Sequence, residues 1–243
     1  MNLCIDQGNS STKIGLFHDN KLVEARSYRE FTNSDLEQLS HNFQIENLIM
    51  SSVTNENFDR WTTVKQFKNY YFLTHQTPLP IDNHYKTPES LGKDRLAAVI
   101  GAAHICPNQD LLVIDAGTAI TYDIIDASGV YLGGNIAPGI KLRFASLHEH
   151  TQKLPLLNPS PKTTLPIMGD DTMSAIECGV INGVCFEIDG YIDHLRLKYS
   201  KLSTFLTGGS IFYFDTKLKN PIFVESNLVL IGLNRILEYN VQK

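Results

Sequence analysis

One short pattern occurs twice in this chain, and the repeat constrains the fold more than any other feature of the sequence. Residues 3–16 read LCIDQGNSSTKIGL and residues 112–125 read LVIDAGTAITYDII. In each copy an apolar strand ends at Asp-x-Gly, and the alternation of apolar and polar residues resumes after it, as in a tight β-hairpin. Flanks that match on both sides of the turn favour a duplication. We therefore predict two homologous domains, residues 1–108 and residues 109–243, each of ordinary domain size.

Strand and helix patterns alternate around the two copies. Short apolar runs predict strands at residues 47–53 and 205–207. Helical periodicity predicts helices over residues 90–105, from Thr172 onward and over residues 228–239. This alternation of strands and helices is typical of an α/β protein.

Composition and charge narrow the class of partner. The 243 residues are 42% hydrophobic and 19% charged, an ordinary globular balance. Apolar stretches such as residues 228–233 fall far short of the roughly 20 residues that a membrane-spanning helix needs, and residues 1–7 resemble a strand rather than a signal peptide. A net charge of −5 without a basic run gives a nucleic-acid partner little support. With four cysteines and no C-x-x-C pair, we expect a cytoplasmic protein with no membrane and no nucleic-acid partner.

The first Asp-x-Gly turn has the residue types of a phosphate-binding loop, although neither the G-x-x-x-x-G-K-[ST] nor the G-x-G-x-x-G fingerprint is present. Gly8 allows backbone N–H groups to approach a phosphate closely, and residues 10–12 supply hydroxyl donors. Lys13 supplies a positive charge, and Asp6 at the strand end could hold Mg²⁺ through water. A polar hairpin with a solvent-facing lysine is the competing interpretation of this turn taken alone.

The second turn offers the same chemistry. Asp115, Gly117 and Thr118 repeat the acid, the glycine and the hydroxyl. Two such turns facing one another would hold a polyphosphate from both sides. A third glycine turn, residues 208–209, follows another predicted strand, and its lack of side chains would leave a flat surface for an adenine. Three glycine turns in this order are a much stronger signal of nucleotide binding than any one of them.

The order of these turns resembles that of the superfamily containing actin, sugar kinases and heat-shock chaperone ATPases. Within it, the chain resembles the type III pantothenate kinases, also described as the Bvg accessory factor family, over nearly its whole length. The motifs that carry the resemblance are DQGNSSTK (6–13), SSV (51–53), GKDR (92–95), DAGTAITYD (115–123), GGNIAPG (133–139), TQKLP (151–155), TMSAIECG (172–179), TGG (207–209) and LIGL (230–233). The resemblance implies two tandem ribonuclease-H-like domains with an ATP cleft between them.

The resemblance also implies a function, the ATP-dependent phosphorylation of pantothenate to 4′-phosphopantothenate, which is the first step of coenzyme A biosynthesis. Asp94 would accept the proton of the pantothenate hydroxyl. Asp115 would hold a monovalent cation, K⁺ or NH₄⁺, and Mg²⁺ would accompany ATP. The ATP-binding residues would be Asp6, Gln7, Gly8, Asn9, Ser10, Ser11, Thr12, Lys13 and Thr118. The substrate-binding residues would be Tyr85, Gly92, Lys93, Asp94, Arg95 and Thr172. The protein would be a homodimer, with the helix from Thr172 near the interface.

Each of these roles has a plainer structural interpretation, which the sequence leaves open. Asp94 could cap a helix, and Thr172 could be the N-cap of its own helix, with Asp171 as the competing N-cap. Asp115 could accept backbone N–H groups in its turn. Arg95 could be a surface residue and Tyr85 a packed aromatic.

Two other functions also remain open. One is a non-catalytic accessory protein in transcription, and the other is a kinase of another small hydroxylated substrate. The GKDR motif, together with GGNIAPG, separates the pantothenate kinases from sugar kinases and so favours pantothenate. The chain departs from the family at Ser210, which follows Gly208-Gly209 where the family often has an acidic residue.

Overall fold

The structure is a computed structural model that describes residues 1–52, 61, 65–158, 164–214 and 216–242. Val53, the last residue of the SSV motif, lies outside the described residues.

The first sheet contains both strands of the first Asp-x-Gly hairpin. Its strand order is β3-β2-β1-β4-β5, with β1 at Asn2–Gln7, β2 at Thr12–His18, β3 at Lys21–Tyr28, β4 at Asn47–Ser52 and β5 at Asn69–Phe72. Strand β1 pairs antiparallel with β2 and parallel with β4. Strands β1 and β4 are buried on both faces, and alternate residues such as Leu3, Ile5 and Met50 share one core with helix α1 (Asn33–Asn42).

Helix α1 begins at a capping box. The N-cap is Thr32, whose hydroxyl accepts a hydrogen bond from the Asp35 N–H, and the Asp35 carboxylate accepts one from the Thr32 N–H. Leu36 and Leu39 are the buried residues of this helix, and they pack into the core of the first sheet. The sequence signal for this start is a Thr followed three residues later by an acidic residue. Because this signal is local, it can be recognised from the sequence alone.

The second sheet repeats the strand order of the first. Its order is β11-β10-β7-β8-β9-β6, with β6 at Asp82–Asn83, β7 at Leu111–Ala116, β8 at Ala119–Ile125, β9 at Val130–Pro138, β10 at Ser203–Thr207 and β11 at Phe223–Val224. Apart from the short edge strand β6, the order β9-β8-β7-β10-β11 matches β3-β2-β1-β4-β5 strand for strand. The predicted mixed α/β fold with two such sheets is confirmed.

Four helices follow α1 in the described part of the chain. Helix α2 spans Lys93–Ile105, α3 spans Ile140–Glu149, α4 spans Thr172–Arg196 and α5 spans Leu228–Val241. Helices α3 and α4 bury their apolar residues with β7, β8 and β10 in one continuous core. Among the described helices, none combines the length and apolarity needed to span a membrane.

By its internal contacts the chain divides into two compact units. Unit 1 comprises residues Met1–Asn108, Ile125–Gly133 and Asn227–Lys243, and unit 2 comprises residues Gln109–Ile124 and Gly134–Ser226. The first change of unit falls where the sequence predicts a boundary, whereas α5 and the start of β9 group with the N-terminal residues. The division into contiguous domains 1–108 and 109–243 stays a prediction about the ancestry of the two halves.

Helix α5 belongs to unit 1 because it packs closely on α2. A Cβ at Gly232 would overlap the carbonyl oxygen of Ala97, and a Cβ at Gly101 would overlap that of Leu228. Only glycine at both positions lets the two helix backbones approach so closely. Gly101 and Gly232 therefore define the α2–α5 crossing.

A ladder of amide side chains links the first sheet to α5. Asn69 donates to Asn47 (2.8 Å) and Asn47 donates to Asn2 (2.8 Å), so the ladder runs across β5, β4 and β1. Asn2 donates in turn to Asn234 of α5 (2.9 Å) and also to Glu238. Because a buried amide left unpaired is costly, this ladder fixes the strand register and the docking of α5 together.

Candidate active site

The first Asp-x-Gly turn is closed by its own backbone. Gly8 N–H donates to the Ser11 carbonyl (3.0 Å), and a Cβ at Gly8 would lie 3.2 Å from that oxygen. Asn9 and Ser10 at the tip are exposed, while Thr12 is buried where β2 begins. Asp6 and Lys13 are direct partners in the β1–β2 register. The turn therefore presents polar groups at its tip, with an acid and a cation at its base.

The carboxylate of Asp6 lies in an environment that disfavours its charge. Burial, and after it the negative charge of Asp94, raise the pKa of Asp6 to about 6. A hydrogen bond from Ser51 Oγ (3.2 Å) and the positive charge of Lys13 act in the opposite direction. The structure thus brings the first turn and the GKDR motif, which are far apart in sequence, into electrostatic contact.

Asp94 lies in the first turn of α2 but is not its N-cap. The N-cap is Gly92, which offers no side-chain bond, and Asp94 Oδ1 accepts the N–H of Arg95 (2.8 Å). That oxygen lies so close to Gly92 that a Cβ there would be 2.6 Å away. The Asp94 carboxyl group therefore lies at the N-terminus of α2, where the backbone N–H groups of the first turn point outward. Gly92 is required because it leaves space for this carboxylate.

The side chain of Tyr85 lies against that of Arg95, the last residue of the GKDR motif. The Arg95 guanidinium lies 5.7 Å from the centroid of the Tyr85 ring, and Arg95 is only 5% exposed. Tyr85 stacks on the fully buried Tyr131 with centroids 6.0 Å apart. Gly133, at a φ of +109°, borders the same ring. The sequence analysis did not single out Tyr131. Its only signal in the sequence is its place two residues before the GGNIAPG segment.

The ammonium group of Lys93 points to the loop that precedes α2. It donates to the carbonyls of Leu91 (2.9 Å) and Pro88 (3.5 Å), and burial lowers its pKa. These bonds connect the first residue of α2 to residues 88–91. The structure therefore gives Lys93 a loop-holding contact within the predicted substrate-binding motif.

In unit 2, the second Asp-x-Gly turn is held by two neighbouring segments. Thr118 accepts the Gly139 N–H (3.0 Å), and Ala116 accepts the Ser210 N–H (2.9 Å). Gly208, at a φ of +100°, lies so close to this turn that a Cβ there would overlap Asp115 Oδ1 and lie 2.6 Å from the Ala116 oxygen. A carboxylate oxygen and a carbonyl oxygen thus converge beside Gly208, and both are ligand types that hard cations accept.

Thr172 is the first residue of α4, and the N-cap is its neighbour Asp171. The Asp171 carboxylate accepts the N–H groups of Met173 (2.8 Å) and Ser174 (3.1 Å). Thr172 instead borders a cavity of about 720 Å³ between α3 and α4. The cavity wall is mostly apolar, and it is formed by Pro138, Leu142, Arg143, Ser146, Leu147, Leu154, Thr172, Ala175, Ile176, Gly179 and Val180.

The predicted site residues divide between the two units. Asp115, Thr118 and Thr172 lie in unit 2, and all the others lie in unit 1. Within the described residues, no group of three or more His, Cys, Asp or Glu side chains has the arrangement of a metal site.

Comparison with known proteins identifies the family. The sequence profile of the type III pantothenate kinase family matches residues 2–194. The chain is 48% identical over 241 residues to a type III pantothenate kinase of Phocaeicola vulgatus, and 44% identical to one of Bacteroides fragilis. These alignments cover 99% of this chain, and 99% and 98% of the respective relatives.

Solved structures agree on the fold. A Campylobacter jejuni protein named for the Baf family of transcriptional activators superposes with a TM-score of 0.60 at 24% identity, covering 99% of this chain and all of the other. An inorganic polyphosphate/ATP-glucomannokinase from an Arthrobacter strain superposes with a TM-score of 0.51 at 14% identity, covering 99% of this chain and 98% of the other. At such identities the likeness concerns the fold alone.

Proposed function

The chain belongs to the type III pantothenate kinase family, and from this we propose that its first Asp-x-Gly turn and Asp94 carry out the family's phosphoryl transfer. The reaction is the ATP-dependent phosphorylation of pantothenate to 4′-phosphopantothenate, the first step of coenzyme A biosynthesis. The observation that carries the proposal is the electrostatic contact between Asp6, Lys13 and Asp94, which joins the first Asp-x-Gly turn to an acid at a helix start.

Asp94 is the proton acceptor of this proposal. The hydroxyl oxygen of pantothenate attacks the γ-phosphorus, the bond from that phosphorus to the β–γ bridging oxygen breaks, and ADP leaves. The hydroxyl proton passes to the Asp94 carboxylate. Transfer through a loose transition state needs little base strength, so an aspartate positioned within hydrogen-bond reach is sufficient.

The first turn binds the triphosphate in this proposal. The backbone of residues 6–13 and the exposed polar side chains at its tip bind phosphate oxygens, and Lys13 balances their charge. The burial of Asp6 beside Asp94 fits Mg²⁺, because a cation would relieve the repulsion between the two carboxylates. Mg²⁺ bound with ATP would neutralise charge on the phosphates.

The second turn would contribute Thr118 to the phosphates and Asp115 to a monovalent cation. The oxygens of Asp115 and Ala116 that converge beside Gly208 suit K⁺, which takes carboxylate and carbonyl oxygens as ligands, or NH₄⁺, which donates hydrogen bonds to the same oxygens. Such a cation would add positive charge near the nucleotide.

Pantothenate would bind at the GKDR motif. The guanidinium of Arg95 offers a planar set of donors that suits a carboxylate, and Tyr85 beside it offers an aromatic surface for the aliphatic part of the substrate. Lys93 would act through its bonds to residues 88–91. Thr172 would contact pantothenate as well. The protein would be a cytoplasmic homodimer whose interface includes α4, because the large apolar side chains of Met173 and Phe186 on this helix are exposed.

The deciding experiment measures pantothenate-dependent ADP release with Mg-ATP, in K⁺ and again in Na⁺. Release that requires both pantothenate and K⁺ supports the substrate and the cation site together, whereas equal release in both salts removes the cation proposal. Asp94→Asn is expected to lower kcat by about 10²–10⁴-fold. Asp35→Asn is the matched control, because Asp35 also lies in the first turn of a helix and bonds a backbone N–H there.

Folded protein that releases no ADP in either salt would contradict the proposal and favour the regulatory alternative. Equal activity of Asp94→Asn and Asp35→Asn would instead remove Asp94 from the mechanism while leaving the kinase.

A further inference from the structure

Arg143, near the start of α3, is connected to three other elements of unit 2 by an ion pair and two hydrogen bonds. Its Nη2 donates to Glu187 Oε2 on α4 (2.7 Å), and its Nε donates to the carbonyl of Pro138 at the end of β9 (2.8 Å). The other oxygen of Glu187 accepts the hydroxyl of Tyr122 on β8 (2.6 Å). Arg143 and Glu187 are each about a quarter exposed, so the pair is only partly screened by solvent.

The Pro138 carbonyl lies next to the second Asp-x-Gly turn. The following residue, Gly139, donates its N–H to the Thr118 carbonyl (3.0 Å). A Cβ at Gly139 would overlap the carbonyl oxygen of Thr118 and lie 2.5 Å from that of Gly117, so the two backbones are in direct contact. Any shift of the segment at Pro138 and Gly139 would therefore move Thr118.

We propose that Arg143 is a positioning residue for the second Asp-x-Gly turn: its bond to Pro138, oriented by Glu187, holds Thr118 where it contacts the nucleotide. This inference rests on the proposed function in assigning Thr118 to the phosphates. A planar guanidinium can bond a carboxylate and a carbonyl at fixed angles at once, which an ammonium group does less well. Glu187 has no role of its own in binding, and it acts by orienting Arg143.

The test uses two measurements on the full chain. Calorimetric titration with ADP and Mg²⁺ gives a dissociation constant that does not depend on catalysis, and steady-state kinetics gives separate KM values for ATP and pantothenate. Arg143→Met is expected to weaken ADP binding and raise the KM for ATP by on the order of tenfold. Without the bond to Pro138, Thr118 would be displaced and its contact with the nucleotide would be lost. Arg143→Lys is expected to fall between Arg143→Met and the parent chain.

Two controls separate positioning from stability. Arg26 forms an ion pair with Glu24 at the same distance, 2.7 Å, within the more exposed strand β3 of unit 1. Arg26→Met therefore removes an arginine ion pair outside unit 2 and should leave ADP binding unchanged. Glu187→Gln should weaken ADP binding in the parent chain but have little added effect in Arg143→Met, because the other bond of Glu187, from the Tyr122 hydroxyl, does not involve Pro138.

Unchanged ADP affinity in folded Arg143→Met would overturn the inference, and so would an increase confined to the KM for pantothenate, which would instead connect Arg143 to the cavity beside Thr172. Failure of the proposed function is distinguishable, because a chain that binds ADP but does not phosphorylate pantothenate still reports the effect of Arg143 on affinity.

Discussion

At the scale of single residues, Asp6 makes nucleotide binding sensitive to pH. Burial and the charge of Asp94 raise its pKa to about 6, so Asp6 becomes protonated as the pH falls below that value. Protonated Asp6 has no charge to balance Mg²⁺. We expect kcat/KM for ATP to fall below about pH 6, approaching tenfold per pH unit, in a pH–rate profile at saturating pantothenate. A flat profile from about pH 5 to 7 would contradict this.

The same carboxyl lowers the stability of the fold at neutral pH. Because its pKa is higher in the folded chain than in the unfolded chain, its favourable contribution is complete below about pH 4 and is lost as the pH rises through about 6. Asp6→Asn should therefore raise the free energy of unfolding at pH 7 by about 1–3 kcal/mol while weakening Mg-ATP binding. Denaturant unfolding checks the first effect, and no gain in stability would show that Asp6 is better solvated than the structure indicates.

The two Asp-x-Gly turns could be predicted because their signals are local. Asp6 and Asp115 lie near the ends of β1 and β7, Gly8 follows β1 directly, and both turns form as the pattern predicts. The pairing of Arg95 with Tyr85, and of Arg143 with Glu187, could not be predicted. These partners come from elements whose approach depends on packing, and helical or strand periodicity carries no information about it.

At the scale of elements, the α2–α5 crossing depends on two glycines. Gly232→Ala would force a Cβ into the backbone of Ala97, so we expect a loss of at least about 1–3 kcal/mol of unfolding free energy, measured in urea. Gly190→Ala in α4 is the matched control. Nothing lies within 4 Å of a Cβ there, and alanine should stabilise that helix by up to about 1 kcal/mol. Equal effects of both substitutions would mean that α2 and α5 can separate at little cost.

Element boundaries were predicted well where a cap or turn marks them and less well elsewhere. The predicted helix over residues 90–105 begins at Lys93, because residues 88–91 form a loop held by the Lys93 ammonium. Helix α4 begins at Thr172, as predicted, and its N-cap is Asp171, since that carboxylate accepts two N–H groups of the first turn. Which of two neighbouring polar residues caps a helix depends on side-chain bonds that a residue pattern does not resolve.

At the scale of the whole molecule, α5 should unfold together with the first sheet. The amide ladder ties Asn234 to Asn2, and Gly232 packs on α2, so these parts form one cooperative unit. We expect the backbone amides of α5 to exchange hydrogen at the same free energy of opening as those of β1 and β4. Exchange of α5 at a distinctly lower free energy would show that it detaches on its own.

The similarity of the two sheets could be predicted from the sequence, whereas the grouping of α5 with unit 1 could not. Two matching Asp-x-Gly hairpins predict two similar sheets, and the sheets indeed share their strand order. Helical periodicity over residues 228–239 predicts a helix, yet it does not say which sheet the helix covers.

The grouping of α5 with unit 1 affects how the protein is made. A ribosome synthesises residues 109–226 before it reaches α5, so every residue of unit 2 is available while unit 1 still lacks one of its helices. During that interval α2 has no partner for the face that carries Gly101, and the amide of Asn2 has no acceptor on α5. Unit 2 can therefore complete its fold before unit 1, although most of unit 1 is synthesised earlier. A nascent chain that stalls near residue 226 would carry an incomplete unit 1, which chaperones would bind and proteases would degrade.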